Sequence, residues 1–460
     1  MSRDIYATVL LWLLLFAAVP FYGQQKENTL QRLWPEVAKN YPGIFAKDAT
    51  IEAANYNEKA VKSDALPQAK LQAQNSYGTF EGLSGAFFPQ PGFFNVSGSN
   101  TSSAGASTTS NVFASGTVEW EIFAFGKQHK RNRAASAQTD KAFIDKESYV
   151  LQLKKELSLR YINLLYSDAQ LNWSNKNTER LNDIRIVTQG LARAGLKPAA
   201  DSLLALSSYI QANAEIDKWQ GNKKAAFARL AELYGSEEIA YAGSATRFID
   251  GGNEFLATFS SINKNHPFLE SLSKEAEISS LKGEAVQRAG LPSLKLLGGY
   301  SYRGTGIYGD GYVSDKWGDA FSNTADNYLV GVGIVWNLTG VFTNTLKKQS
   351  YYRQAEEANF RHSQYKLQME AGLEANIAQI QEQRKLLQKT AQAVQHSQDA
   401  YTMYLARYKS GLIALSELLQ IQLLLEQAES RHIEGVHEYW MQLANLAELT
   451  MDFDYLFNNL

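Results

Sequence analysis

Four hundred and sixty residues exceed one ordinary domain of about 100–200 residues and fit two or three such domains or one elongated body. Forty-five Lys plus Arg against 47 Asp plus Glu leave a net charge of −2, so no basic field calls for nucleic acid as a partner. The absence of cysteine excludes disulfides, thiolate catalysis, Cys-ligated zinc, iron–sulfur clusters and a lipid anchor on an N-terminal cysteine.

The chain opens with Arg3, an apolar run from Ala7 to Val19, and then Pro20, Phe21, Tyr22 and Gly23. That run is shorter than the roughly 20 residues a spanning helix needs, and a small residue follows where a signal peptidase can cut. Residues 1–23 read as a cleaved signal peptide, with a retained membrane anchor as the alternative. No later stretch reaches 18 uninterrupted apolar residues, so a mature chain that crosses a membrane must do so as β-strands.

The next feature is an internal duplication. Lys39-Asn40-Tyr41-Pro42 recurs as Lys264-Asn265-His266-Pro267 and Leu66-Pro67 as Leu291-Pro292, both at an offset of 225. Further along the offset is 216, as in Trp120/Trp336, Tyr149/Tyr365, Leu157/Leu373, Gly195/Gly411 and Gln211/Gln427. The first copy thus carries a net insertion of nine residues between Tyr77 and Trp120, an interval that holds the loop-like run Ser97 to Ser103. Residues 24–234 form one repeat (helix, β-hairpin, long helices), 235–263 an equatorial linker, and 264–460 the second repeat.

Each copy has two segments of period two. In the first, Ala69, Leu71, Ala73, Asn75 and Tyr77 alternate with polar residues, and Val112, Ala114, Gly116, Val118, Trp120 and Ile122 form one face of the next segment. In the second, Leu294, Leu296, Gly298, Tyr300 and Tyr302 share a parity, followed by Tyr328, Val330, Val332, Ile334, Trp336 and Leu338. An apolar face opposed by polar residues or glycine over about ten residues is the pattern of a membrane-barrel strand, and also that of a half-buried sheet in a soluble domain. The export signal and the aromatic residues around the turns (Phe87, Phe88, Phe93, Phe94, Tyr308, Tyr312, Trp317, Phe321) favour the membrane, with Val118, Trp120, Val330, Val332, Ile334 and Trp336 facing lipid.

The remainder of each copy predicts helix: about 133–189 and 199–234 in the first, about 344–409 and 415–449 in the second. At 1.5 Å per residue the longest would reach about 100 Å, more than a globular core uses, so these helices should pack side by side as coiled coils. Four spanning strands per chain cannot close a barrel, since every edge must be paired and barrels begin at about eight strands. Several copies must therefore share one barrel, and long helices leaving it on one side would extend it as a tube.

With Thr29-Leu30 ahead of an Asn-Tyr-Pro turn, Leu-Pro before each hairpin, and strand, long helix, glycine and helix in that order twice, the sequence resembles the outer membrane efflux, or TolC-like, family. The resemblance implies an α+β fold: a trimeric twelve-stranded outer-membrane barrel with four strands per chain, continued into the periplasm by a long α-helical barrel. It implies partners as well, namely two further copies of the chain, outer-membrane lipid, a periplasmic adaptor and an inner-membrane pump. In that family the periplasmic entrance lies just past the glycine of each copy, here the helix-turn residues Gly195 and Gly411. Carried over residue by residue, Glu417 matches the first position of an acidic entrance ring, and Tyr408 with Asp201 a latch between the copies. Gln420 stands where a second acidic residue is expected and Ile413 where a latch arginine is expected, with Arg407 and Lys409 nearby as substitutes. Three Glu417 carboxylates around a threefold axis would attract cations. On the residues alone Glu417 and Asp201 are equally first-turn carboxylates favoured by a helix dipole, and the glycines are helix-ending turns.

Two apparent motifs carry no chemistry. Gly304-Thr305-Gly306-Ile307-Tyr308-Gly309 has the letters of a dinucleotide fingerprint, but the residues after it continue as loop rather than opening a helix. His432 and His437 lack the glutamate of a zinc-protease helix. No catalytic residue, metal or cofactor is expected. The chain reads as the passive exit duct of a tripartite efflux or type I secretion system, the alternatives being an exported structural or adhesive coiled-coil protein and a periplasmic hydrolase.

Overall fold

The computed structural model describes residues 30–79, 104–235, 245–250, 262–263 and 265–460. The signal segment, the run Ser97 to Ser103 and the aromatic residues at 87, 88, 93 and 94 lie outside them, as does most of the 235–263 linker. The described residues fall into two compact units, one within 1–47, 145–268 and 364–460 and the other within 48–144 and 269–363.

Helices α1 (Leu30–Asn40) and α2 (Pro42–Ser63) precede strand β1 (Gln68–Thr79), a two-residue strand β2 (Ala104–Gly105) and strand β3 (Thr108–Phe123). Helices α3 (Lys127–Arg193), α4 (Ala199–Tyr234) and α5 (Ala245–Asp250) follow, then α6 (Pro267–Arg288). Strand β4 (Ser293–Thr305), the short β5 (Tyr312–Val313), a 3₁₀ turn (Trp317–Phe321) and β6 (Thr324–Val335) lead into α7 (Leu338–Lys409), α8 (Leu415–Thr450) and α9 (Asp454–Asn459). The repeat is visible in the elements: α2 and α6 both have 22 residues and open on a proline, which costs nothing at a first helical position. Helices α4 and α8 both have 36 residues and sit 216 apart.

In the second unit the main strands form one antiparallel sheet in the order β1-β3-β4-β6, while β2 and β5 make a short parallel pair. Gln68 pairs with Glu119 in the first hairpin and Ser293 with Val335 in the second, the same register shifted by 225 and 216. Across the sheet Leu71, Gly116 and Tyr300 share a row with Tyr328, and Ala69, Val118 and Gly298 with Val330. This register places all four apolar parities on one face, with Lys70, Gln72, Glu119, Lys295 and Asn327 on the other. Among the described residues the apolar face lies open over its middle and its helix-side rows: Leu71 is 92% exposed, and Val330 and Ile334 are both 76% exposed.

Strand ends differ from expectation in two places. A register shift between Glu121 and Phe123 puts Phe123, not Ile122, opposite Leu294. Strand β6 stops at Val335, so Trp336 and Leu338 are not strand residues and the helix begins six residues before the expected 344. The cause is Asn337, whose Oδ1 accepts the Gly340 N–H at 2.9 Å and caps α7. Trp336 turns its indole N–H to the Gly290 carbonyl at 3.0 Å, and Trp120 does the same to Ala65 at 2.9 Å, so the two copies lock their strand ends alike.

In the first unit a large apolar core gathers Leu30, Leu33, Leu157, Tyr161, Ile162, Val436, Tyr439 and Trp440. The Trp440 indole is fully buried and donates to the Phe248 carbonyl at 2.9 Å, as a buried indole must find an acceptor. A second cluster of Leu181, Ile184, Ala205, Tyr401, Tyr408, Ile413, Leu415 and Leu418 surrounds the turns at Gly195 and Gly411.

Candidate functional site

Each long helix ends in the same way. Gly195 takes φ 75° and Gly411 φ 77°, a region that glycine enters without a Cβ clash. Gly195 N–H bonds Ala192 and Leu196 N–H bonds Leu191, while Gly411 and Leu412 bond Tyr408 and Arg407 in the same pattern. These are two Schellman motifs, which satisfy the orphan carbonyls of a helix end and turn the chain within a few residues. Leu196 and Leu412, in equivalent positions, are 69% and 70% exposed.

Asp201 and Glu417 are equivalents of each other, 216 apart, each in the first turn of a return helix. There a carboxylate is stabilised by the helix dipole. Glu417 is exposed, and its Oε1 lies 3.5 Å from the Ala414 N–H, a weak half of a capping box. Gln420, one turn on, is exposed too.

Tyr408 is fully buried, and its hydroxyl meets Thr188 Oγ1 at 3.0 Å. Thr188 has already given its one hydrogen to the Ile184 carbonyl at 2.7 Å, so the tyrosine is the donor. Burial raises the Tyr408 pKa, the Thr188 hydrogen bond opposes that rise, and the nearby charge of Asp201 adds to it. Asp201 therefore acts on Tyr408 through its field, whereas the hydroxyl itself rests on Thr188.

The cation of the site comes from the first copy. Lys197 Nζ donates to the Ile413 carbonyl at 3.2 Å and lies 5.6 Å from the centre of the Tyr408 ring, a cation–π contact. Lys197 and Ile413 are equivalent positions, so the side chain at one turn holds the backbone of the other. Ile413 points into the apolar cluster instead of supplying charge. Arg407 lies 5.7 Å from the Tyr404 ring centre and Lys409 is exposed. Sequence reasoning sought the substitute cation beside Ile413 and missed Lys197 and Thr188, since neither stands out by spacing. Higher in the same unit, α3 and α8 are joined by a bidentate Arg180–Glu429 pair (2.9 and 2.5 Å) and by Gln422 donating to Asn177 at 2.5 Å. Beside them burial holds the Glu426 carboxyl above its usual range and pushes Tyr401 up to about 12.

A family model described as outer membrane efflux protein matches residues 33–236 and 260–450, most of the chain and both copies. The chain belongs to the outer membrane efflux protein family. It is thus an outer-membrane channel for efflux, and family membership implies a conduit in place of an enzyme. This efflux protein shares its fold with the outer-membrane channel OprN at a TM-score of 0.72 and 17% identity, over 94% of this chain and 91% of that one. The outer membrane protein VceC of Vibrio cholerae superposes at 0.71 with 16% identity, covering 92% of this chain and 95% of its own. The CmeC channel of Campylobacter jejuni gives 0.72 with 14% identity, over 92% and 86%. No curated protein sequence gives a significant match.

Proposed function

We propose that this efflux protein works as a homotrimer, three four-stranded sheets closing a twelve-stranded outer-membrane barrel that the long helices continue through the periplasm of a Gram-negative cell. The observation that carries this reading is the sheet itself: strands β1 and β6 are its two outer members, and one face of it is apolar and exposed from Leu71 to Ile334. An open sheet edge is not tolerated in lipid, so each β1 must find the β6 of a neighbour. Val118, Trp120, Val330, Val332 and Ile334 then face lipid, with Trp336 at the membrane boundary, and Lys70, Glu119 and Lys295 line the lumen. The duct is passive, and an inner-membrane pump and a periplasmic adaptor supply the cargo and the energy. The turns at Gly195 and Gly411 form its periplasmic entrance, where three copies of Glu417 make an acidic ring, Gln420 leaves the next ring uncharged, and Tyr408 with Thr188, Asp201 and Lys197 holds the turns together. The two repeats, 24–234 and 264–460, supply equivalent walls, joined by the linker 235–263. The family match favours this duct over an exported adhesive or structural protein. Native mass spectrometry of the detergent-extracted protein should give the mass of three chains, and that species should conduct ions in a planar bilayer. A monomer in the aqueous extract contradicts the reading.

A further inference from the structure

At their outer ends β3 and β4 carry a cover. The Ser110 hydroxyl donates to the Trp317 carbonyl at 2.9 Å and the Tyr77 hydroxyl to the Asp315 carbonyl at 3.2 Å, while a Cβ on Gly304 would overlap the Ala320 carbonyl oxygen. Tyr77, Ser110 and Gly304 all belong to the face that holds Leu71, Val118 and Val330, because strand side chains return to one face every second residue. The segment from Ser314 to Ser322 therefore folds back over the apolar face and not over the face of Lys70 and Gln72. It is firmly built: Ser314 Oγ donates to Asp319 Oδ2 at 2.5 Å, Asn323 Nδ2 to the Ile307 carbonyl at 2.6 Å, and Val313, Ser314 and Ala320 are buried. Yet Trp317 and Phe321 point outward, 52% and 54% exposed, with Tyr77 stacked on Trp317 at 5.9 Å.

The position of this segment along the strands gives it a meaning. Ser110, which pairs with Tyr77, lies ten residues along β3 from Trp120. At about 3.3 Å per residue and a tilt of about 40°, that distance is about 25 Å along the membrane normal, the height of the apolar band between the two aromatic girdles of an outer-membrane barrel. Trp120 and Trp336 stand at one boundary of such a band and Trp317 with Tyr77 at the other.

We infer that Ser314–Ser322 is an interfacial shelf, which seats Trp317 and Phe321 in the outer-leaflet boundary between headgroups and acyl chains and binds lipid there. Amphipathic rings favour that depth. This inference rests on the barrel reading above. The occupant is lipid and not a neighbouring copy, because the 3₁₀ turn packs mainly on β3 and β4, the two inner strands, and meets β1 through the Tyr77 side chain on the lipid face, whereas a neighbour pairs along the backbone edges of β1 and β6.

The chain has no cysteine, so single labels can be placed at will. Bimane would be attached to Trp317→Cys, Phe321→Cys, Val332→Cys and Leu329→Cys in the full-length protein, reconstituted in phosphatidylcholine brominated either near the carbonyl or near the chain end. Labels at 317 and 321 should be quenched several-fold more by the shallow bromine than by the deep one. The label at 332 should respond to the deep bromine, and that at 329 to neither. Quenching at 332 with none at 317 and 321 overturns the shelf and leaves the barrel standing; no quenching at 332 removes the barrel and the shelf with it. A second variant, Gly304→Val, should displace the turn, so that the label at 321 loses its shallow quenching while the label at 332 keeps its own.

Discussion

At the residue scale the entrance depends on which groups are left to bond. The Tyr408 hydroxyl donates to a Thr188 oxygen whose hydrogen is already committed, so Tyr408→Phe removes one buried donor and leaves no donor orphaned. The closed arrangement should lose about 0.5–1.5 kcal/mol, and conductance in planar bilayers should rise. Lys197→Met should raise it as well, by freeing the Ile413 carbonyl, while Arg407→Met and Lys409→Met should not. Opening by the Arg407 variant alone would mean that the working cation is in the second copy after all. Glu417 separates charge from capping: Glu417→Gln keeps an acceptor for the Ala414 N–H, so it should reduce cation preference in reversal-potential measurements with an unchanged melting temperature.

At the element scale three histidines join helices of the first unit while neutral. His266 Nε2 meets the Glu448 carbonyl at 3.2 Å, His432 Nδ1 meets Thr390 at 2.9 Å, and His437 Nε2 meets Asn163 Oδ1 at 3.0 Å. A carbonyl only accepts, so His266 carries its proton on Nε2 and its buried Nδ1 has no partner for a second one. Burial lowers the pKa of all three below the ordinary 6.5. The unfolded chain therefore takes up protons first: stability is full above 6.5 and falls as the pH drops through the lowered folded values. The melting temperature should decline as the pH falls below the ordinary 6.5, and His437→Asn should flatten part of that decline. A slope unchanged in that variant would assign the acid sensitivity to other groups. The start of α7 offers a simpler check, since Asn337→Ala should cost about 1 kcal/mol by chemical denaturation through loss of its cap.

At the scale of the whole molecule the proposed assembly rests on the open sheet. Charge placed on its apolar face should be rejected by lipid and charge on the opposite face accepted. Val330→Lys should cost about 2–4 kcal/mol of barrel stability at mid-membrane and deplete the oligomer recovered from membrane fractions. Asn327→Lys, three residues away on the other face, should leave that oligomer intact. Equal tolerance of both substitutions would place the sheet in water.

Spacing along the chain was enough for the duplication, the parity of the four strands and the spans of the return helices α4 and α8. Each of these is a matter of spacing along one chain: 225 and 216 between copies, two in a strand, glycine and proline where a helix must stop. Both long helices began six residues earlier than their composition suggested, α3 at Lys127 and α7 at Leu338, the latter because a single side chain, Asn337, caps it. Pairings between distant segments came from the folded chain alone. The strand register put four separate apolar parities on one face, and helix packing brought Thr188 to Tyr408 and Lys197 to Ile413 across 220 and 216 residues. The fold-back of Ser314–Ser322 onto the apolar face belongs with them. Hydrogen bonds and packing depend on position in space, and spacing along the chain specifies position only within one helix, strand or turn.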